Sequence, residues 1–462
     1  MREVTRRELL RAGALLAVGV PFARVAFAWA GTGENLQRFV SRPDLKPPKV
    51  TVLHASHGSA PGYVFTAPSS GPGQSGAMIF DDSGELVWFH PVLGKALTDF
   101  KVQTFRGKPV LTWWEGKDVD GVGDGEWVVL DTSYRQLARF TAARGLPGDL
   151  HEFTISPENT ALVTSNELRP WNGRRVIGGV VQELTLPDAR LLWEWRSLDH
   201  VAVEETEIKA QPGPRFDYFH INAIDVAPDG NLIVSARNTW TAYKIQRRTG
   251  RVLWRLGGKK SDFAFGAGAH FEWQHDVREH PGGLVSVFDN AAAPAEELQS
   301  RALLLRLDEA HRRVTLAHAY VHRPQRVLSH FFGSTQLLAD RHVFVGWGGA
   351  PYMTEFGPDG TVVFDAALPH GGQSYRSFRF PWSGLPADRP ALVVQAGAAY
   401  ASWNGATEVA SWQLLEDGRK TQVVPRAGFE TKLLPGSATR TVAVAALDSG
   451  GASLGTSPTV SV

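Results

Sequence analysis

The chain has 462 residues, 43% hydrophobic and 21% charged, the balance of an ordinary soluble globular protein long enough to bury a sizeable core. Its formal net charge of +1 provides no electrostatic footprint for nucleic acid or another polyanion. The absence of cysteine excludes disulfides, thiolate metal sites and cysteine nucleophiles.

The first element is a targeting segment. In "TRRELLRAGALLAVGVPFARVAFAWA" the pair Arg6-Arg7 precedes Leu9-Leu10 and an apolar stretch from Ala12 to Ala23, and small residues follow at Ala26, Ala28 and Ala30. This is the pattern of a twin-arginine export signal. Residues 1–30 are therefore expected to engage the twin-arginine export machinery and to be cleaved after Ala28 or Ala30, leaving an extracytoplasmic protein. No later run approaches the ~18 apolar residues a membrane helix needs.

Residues 31–385 read as strands. A turn of the form Asp-x-x-Gly followed by a strand with Trp or Phe appears in "IFDDSGELVWFHP", as Asp-Gly in "EFGPDGTVVFDAALP" and as Thr-Gly in "KIQRRTGRVLWRLGG". Looser copies are "VVLDTSYRQLARF", "ELTLPDARLLWEW" and "LRLDEAHRRVTLAHAY". The anchors fall near Asp82, Thr132, Asp188, Thr249, Asp308 and Asp359, a period of roughly 50–60 residues. Between them lies a second hairpin, as in "LHEFTISPENTALVTSNE", "FHINAIDVAPDGNLIVSARN", "WQHDVREHPGGLVSVFDN" and "SHFFGSTQLLADRHVFVGWG". Two hairpins per repeat make a four-stranded antiparallel sheet. About six in a row predict an all-β chain folded as a six-bladed β-propeller, because the repeats are too short for stacked sandwich domains.

Residues 386–462 keep strand alternation and lose the repeat. "SWNGATEVASWQLL" and "DSGGASLGTSPTVSV" predict a small β-sandwich of fibronectin type III or Ig-like form with Trp403 in its core, a place for contact with the cell surface.

The phase of the hairpins points to a site. His151 and His275 each stand six residues before the turn proline, Pro157 or Pro281; Asn222 holds the same position before Pro228, and His220 is two residues earlier on the same face. Three imidazoles and an amide are predicted to converge near one channel, with Arg237 adding a fixed cation. His330 does not share the phase, and Asp276 should point to the opposite face. Trp113, Trp114, Trp240 and Trp347 either wall an aryl pocket or wedge neighbouring sheets together. The cluster suits a metal or an anion, but no His-x-His or Glu-x-x-His pair accompanies it, so no metal is expected. "KDVDGVGDGE" has Val122 where a calcium loop needs its third ligand, and "LGGKKS" lacks the first glycine of a P-loop. There is no Gly-x-Ser-x-Gly elbow, and no cofactor is expected.

Taken together, "FHINAIDVAPDGNLIVSARN", "YKIQRRTGRVLWRLGG" and "WQHDVREHPGGLVSVFDN" resemble the hairpins of the bacterial arylsulfotransferase family. "FVSRPDLKPP", "GAMIFDDSGELVWF" and "HFFGSTQLL…VFVGWGG" are similar to its actinobacterial and fungal branch, and the likeness spans about residues 38–382. The resemblance implies a sulfotransferase that moves a sulfuryl group from an aryl sulfate donor to a phenolic acceptor without a nucleotide donor. It makes His275 the histidine that is transiently sulfated. His220, Asn222 and Arg237 then hold the sulfate and His151 is a further catalytic histidine; of the tryptophans read as walling an aryl pocket, Trp240 and Trp347 are expected to contact the substrate. A protonated His151 or His220 is expected to assist Arg237. Two alternatives from other classes are a non-catalytic propeller binding an anionic or glycan ligand in its channel, and a hydrolase or lyase using the same histidines.

Overall fold

The recurrent aspartate turn is built the same way in two hairpins, and in a third the aspartate stands two places further on, because Gly357 holds the first turn position. Oδ1 of Asp81 accepts the N–H groups of Ser83 (2.9 Å) and Glu85 (3.1 Å), Asp131 those of Ser133 (2.8 Å) and Arg135 (2.9 Å), and Asp359 that of Thr361 (3.0 Å). The carboxylate stands in for a backbone acceptor and fixes the reversal. The chain then passes through the left-handed region, at Gly84 (φ 83°) and Gly360 (φ 81°). In the second hairpin Tyr134 (φ 60°) occupies that position, which explains why that copy lacks its glycine.

The structure is a computed structural model that describes residues 35–209 and 213–462; residues 1–30, read above as an expected export signal, lie outside the described residues. The described residues form an all-β chain whose helical content is confined to 3-10 turns. In the larger body Tyr63–Pro68, Gly76–Phe80 and Leu86–Pro91 form a sheet with Ser374–Phe380. A nine-stranded sheet follows, two meanders joined only where Gly125 meets Gly148. Three more sheets run from Ile221 to Gly257, from Ala264 to Tyr320 and from Ser334 to Ala367, the last gaining Thr51–His54 at its edge. Pairing is antiparallel apart from two short parallel contacts at edges.

Apolar residues on both faces of each sheet meet those of its neighbours. Ile233, Ala242, Trp254 and Leu256 of one sheet pack with Val277, Val285, Leu303 and Leu305 of the next. Burying each of the aliphatic members stabilises the fold by about 1.5–3 kcal/mol, which is why β-branched and aromatic residues fill these strands.

Six strands position the site: Ala96–Phe105, Gly148–Ile155, Ile221–Val226, His275–His280, Ser334–Leu337 and Ser374–Phe380. Each packs against the next, and the last against the first. A buried ionic network ties all six. Arg376 donates to Asp99 (2.7 Å), Glu152 (2.9 Å) and the Asn222 carbonyl (2.8 Å). Lys101 pairs with Asp99 (2.9 Å) and Glu152 (2.5 Å); Arg278 pairs with Glu152 (2.5 Å) and Asp276 (2.6 Å) and donates to the Ile224 carbonyl (2.6 Å). The Thr335 N–H donates to Asp276 (3.0 Å) and completes the set. Burial alone would push the Glu152 carboxyl up, but the three cations around it hold it well below its ordinary range.

The smaller body has two sheets, one of Ala391–Gln395, Ala398–Ser402 and Glu430–Leu433, the other built on Ser411–Glu416 and Thr441–Leu447. They share a core containing Leu392, Trp403, Trp412, Leu414 and Val444. Asn404 exchanges two 2.9 Å hydrogen bonds with the Phe89 backbone, and the Tyr134 hydroxyl donates to the Gly405 carbonyl (2.7 Å), so the two bodies are joined by polar contacts as well as chain.

Candidate active site

Pairing slips in five of the six central strands, at Tyr375–Arg376 in Ser374–Phe380 and in four others beside the predicted site residues. Register shifts fall between Thr98 and Lys101, opposite Asp149–Glu152, at Asn222, and between His275 and Arg278. Such bulges re-aim side chains. His220 (φ 55°), Trp240 (φ 50°), Trp273 (φ 58°), Asp276 (φ 53°) and Phe332 (φ 70°) all sit in the left-handed region that favours glycine, an accumulation of backbone strain in one place. Through these kinks His275 turns toward the other histidines while Asp276 drops into the ionic network.

His151, His220 and His275 are 3%, 5% and 1% exposed. The rings of His151 and His220 meet edge to face with centroids 4.9 Å apart. Tyr375 stands edge-on to both His151 (5.7 Å) and His275 (6.5 Å) and donates its hydroxyl to the Asn222 carbonyl (3.2 Å). Arg237 is close enough to His220 and His275 to depress both.

Each imidazole is held through Nδ1. His151 is 2.7 Å from Asp149, His220 is 2.5 Å from Asp217, and His275 is 2.7 Å from Oδ1 of Asn290. No Nε2 of the three has a hydrogen-bond partner among the described residues. The holders are themselves held. Asp149 accepts the N–H of Gly123 (2.9 Å) and the amide of Asn166 (2.9 Å); the Asp217 carbonyl accepts the amide of Asn238 (2.8 Å). The glycine-rich hairpin "KDVDGVGDGE" thereby gains its purpose. A Cβ on Gly123 would lie 2.4 Å from the Leu150 nitrogen, and one on Gly121 would lie 3.1 Å from the His220 ring, so this hairpin closes over the histidines only because it lacks side chains there.

Electrostatics set the protonation states. Burial, reinforced by the Arg237 charge, lowers His220 to about 4 and His275 well below its ordinary value, so both are neutral near pH 7 in the free site. The sequence reading expected a protonated histidine beside Arg237. For His220 the reverse holds: the low-dielectric surroundings and the fixed guanidinium expel the second proton. Burial raises the Asp149 and Asp217 carboxyls, but the facing histidines outweigh it and both lie below their ordinary values. Arg237 is the fixed cation. Its Nε donates to Asn238 (3.1 Å), it lies over the Trp273 ring (5.7 Å), and it forms no ion pair among the described residues. Its two terminal nitrogens are left for an anion, a fork that fits two oxygens of a sulfate.

The remaining predicted residues divide. Asn222 borders the cluster, but its amide donates to the Gln274 carbonyl (2.6 Å) and its Oδ1 has no partner, so it braces two central strands in the free site. Trp240 lies against Trp273 (5.9 Å), next to Arg237. Trp347 is not brought to the cluster: it is fully buried, donates to Thr354 (3.0 Å) and packs on Phe288 and His322. Trp113 and Trp114 are packing residues too, Trp113 against Trp88 and Phe100 and Trp114 donating to the Gly148 carbonyl (2.9 Å). His330 is exposed. The reading missed Asp149, Asp217 and Asn290. A signal existed, because each of the three hairpin motifs carries an asparagine nine or ten residues after its turn proline, Asn166, Asn238 and Asn290, and each of these asparagines fastens a site residue or its holder. A cavity of about 580 Å³ opens on the other side of the ionic network, lined by Lys101, Thr154, Asp225, Arg278 and Phe378; none of the three histidines reaches it.

The family model for arylsulfotransferases matches residues 101–368, which include His151, His220, Arg237 and His275, and the chain belongs to that family. The family's activity is sulfuryl transfer from aryl sulfates. Among solved structures the chain is similar to a protein of unknown function from Bacteroides caccae (14% identity, TM-score 0.44, 69% of this chain and 98% of that one). It is also similar to virginiamycin B lyase from Staphylococcus aureus (8%, 0.37, 77% and 97%) and to a protein from Lactobacillus plantarum (14%, 0.37, 80% and 99%). No curated protein matches it.

Proposed function

We propose that this protein is an exported aryl-sulfate sulfotransferase working by a ping-pong route through a sulfated His275. The observation that carries the reading is the set of three buried imidazoles, each held at Nδ1 with Nε2 free, around a guanidinium without a carboxylate partner. In the first half-reaction the Nε2 lone pair of His275 bonds to sulfur, the sulfur–aryl-oxygen bond breaks, and its electron pair leaves on the phenoxide. Arg237 holds the sulfuryl oxygens as charge shifts toward the leaving group. The negative charge of the incoming sulfate favours uptake of a proton from solvent at a facing imidazole, and that histidine, His151 or His220, passes the proton to the phenoxide. In the second half-reaction the same histidine takes the proton of the acceptor phenol, its oxygen attacks sulfur, and the nitrogen–sulfur bond breaks. Asn222, bordering the cluster, and Trp240, beside Arg237, are proposed to contact the bound donor.

The ring of six central strands supports a six-bladed propeller over residues 31–385, and the two sheets around Trp403 support a fibronectin type III-like sandwich over 386–462. The segment 1–30 is proposed as a twin-arginine signal, giving an extracytoplasmic enzyme whose C-terminal domain contacts the cell surface. Steady-state rates with 4-nitrophenyl sulfate as donor and phenol as acceptor test the route: parallel double-reciprocal lines are expected, and intersecting lines would contradict a ping-pong scheme.

A further inference from the structure

The three histidines share a geometry but not a partner. His151 and His220 face carboxylates, whereas His275 faces an amide. A carboxylate at Nδ1 favours imidazolium; an amide carbonyl fixes orientation with far less pull on a second proton.

The Asn290 amide fits one way round. Its nitrogen donates to the carbonyls of Ser329 (3.0 Å) and Phe332 (2.9 Å), which accept only, so Oδ1 faces His275. Oδ1 in turn only accepts, so Nδ1 of His275 carries the hydrogen and the lone pair is left on Nε2. Asn290 is fully buried, and the Ser300 hydroxyl clamps the segment by donating to its carbonyl (2.9 Å) while accepting the Ser329 N–H (2.8 Å). Nothing in this arrangement can rotate to offer His275 a donor.

We propose that Asn290 is the positioning residue that holds His275 as the neutral Nδ1–H tautomer with Nε2 presented for attack, and that the amide-versus-carboxylate difference sorts the histidines into one nucleophile and two proton carriers. The role rests on the reading of His275 as nucleophile; the tautomer does not. The groups facing His275 agree. Arg237, His151, His220 and Tyr375 surround it, the first is cationic and none is an anion, while Asp276, next in sequence, is spent on Arg278 and Thr335.

The test is imidazole ¹⁵N NMR of histidine-labelled protein, with His275 assigned by its absence in His275→Gln. Nδ1 is expected to be protonated and Nε2 bare from pH 5 to 8. An Nε2–H tautomer, or an imidazolium forming near pH 6.5, would overturn the proposal. A second arm reads the shape of the kcat/KM–pH profile. Wild type should lack an acidic limb near pH 6.5. Asn290→Asp, which supplies a carboxylate, should acquire one and lose about tenfold between pH 8 and pH 6. Equal losses in Asn290→Asp and Asn290→Ala with an unchanged profile would reduce Asn290 to packing and defeat the proposal. The correct tautomer in a protein that never becomes sulfated would leave the tautomer standing and remove the nucleophile.

Discussion

Replacing His275 by alanine is expected to lower kcat for sulfuryl transfer at least about 10⁴-fold, with nitrophenolate release from 4-nitrophenyl sulfate as the readout. No other group is placed to substitute. Glu152, Asp276 and Asp99 are committed to the ionic network, and His151 and His220 are held at Nδ1 by carboxylates rather than by an amide. The variant should still fold. It leaves the Asn290 carbonyl oxygen without its donor, a cost of about 1–3 kcal/mol, so a folded state verified by a cooperative melt is part of the measurement. A variant retaining activity within tenfold of wild type would mean that another group attacks sulfur.

The second large effect concerns stability. Arg376 is fully buried and its guanidinium joins Asp99, Glu152 and the Asn222 carbonyl. Arg376→Leu would leave buried carboxylates short of a cation, and breaking one side of a buried ion network costs about 3–5 kcal/mol. The expected result is a fall in Tm of about 5–10 °C. Because Asn222 and Tyr375 are fastened to the same group of strands, the histidines should also lose their spacing, and kcat/KM should drop with stability. An unchanged Tm would show that the hydrophobic packing between sheets suffices to hold the ring.

Much of this was legible in the sequence because it is local. An aspartate that caps its own turn acts within a few residues, so the hairpins announced themselves through Asp81, Asp131 and Asp359, with the anchor one residue off in the first two copies. The convergence of His151 and His275 followed from strand alternation. His220 is different: it precedes its strand and reaches the cluster through a left-handed turn, a conformation that alternation does not encode. Closure was hidden for another reason. Ser374–Phe380 pairs with Tyr63–Pro68 across some three hundred residues, and no short pattern reports such a pairing. Trp347 went astray because a tryptophan near a hairpin end has the same sequence signature whether it lines a pocket or fills a seam between sheets. Its neighbours Phe288, His322 and Thr354 decide for the seam.

The holders are not legible from any one side chain, because each acts only through the imidazole it faces. Asp149 and Asp217 stand two and three residues before their histidines, and Asn290 fifteen after His275. What distinguishes the nucleophile from its neighbours is therefore the chemistry of the group behind it.

The central claim is a covalent bond between Nε2 of His275 and sulfur. The measurement that tests it most directly is the intact mass of the protein mixed briefly with 4-nitrophenyl sulfate and no acceptor, followed by peptide mapping under conditions that spare nitrogen–sulfur bonds. A single added SO3 group located on the His275 peptide, and discharged when phenol is added, is the predicted result. Release of nitrophenolate on adding phenol with no modified protein at any time would contradict it, and would mean that the sulfuryl group passes directly from donor to acceptor.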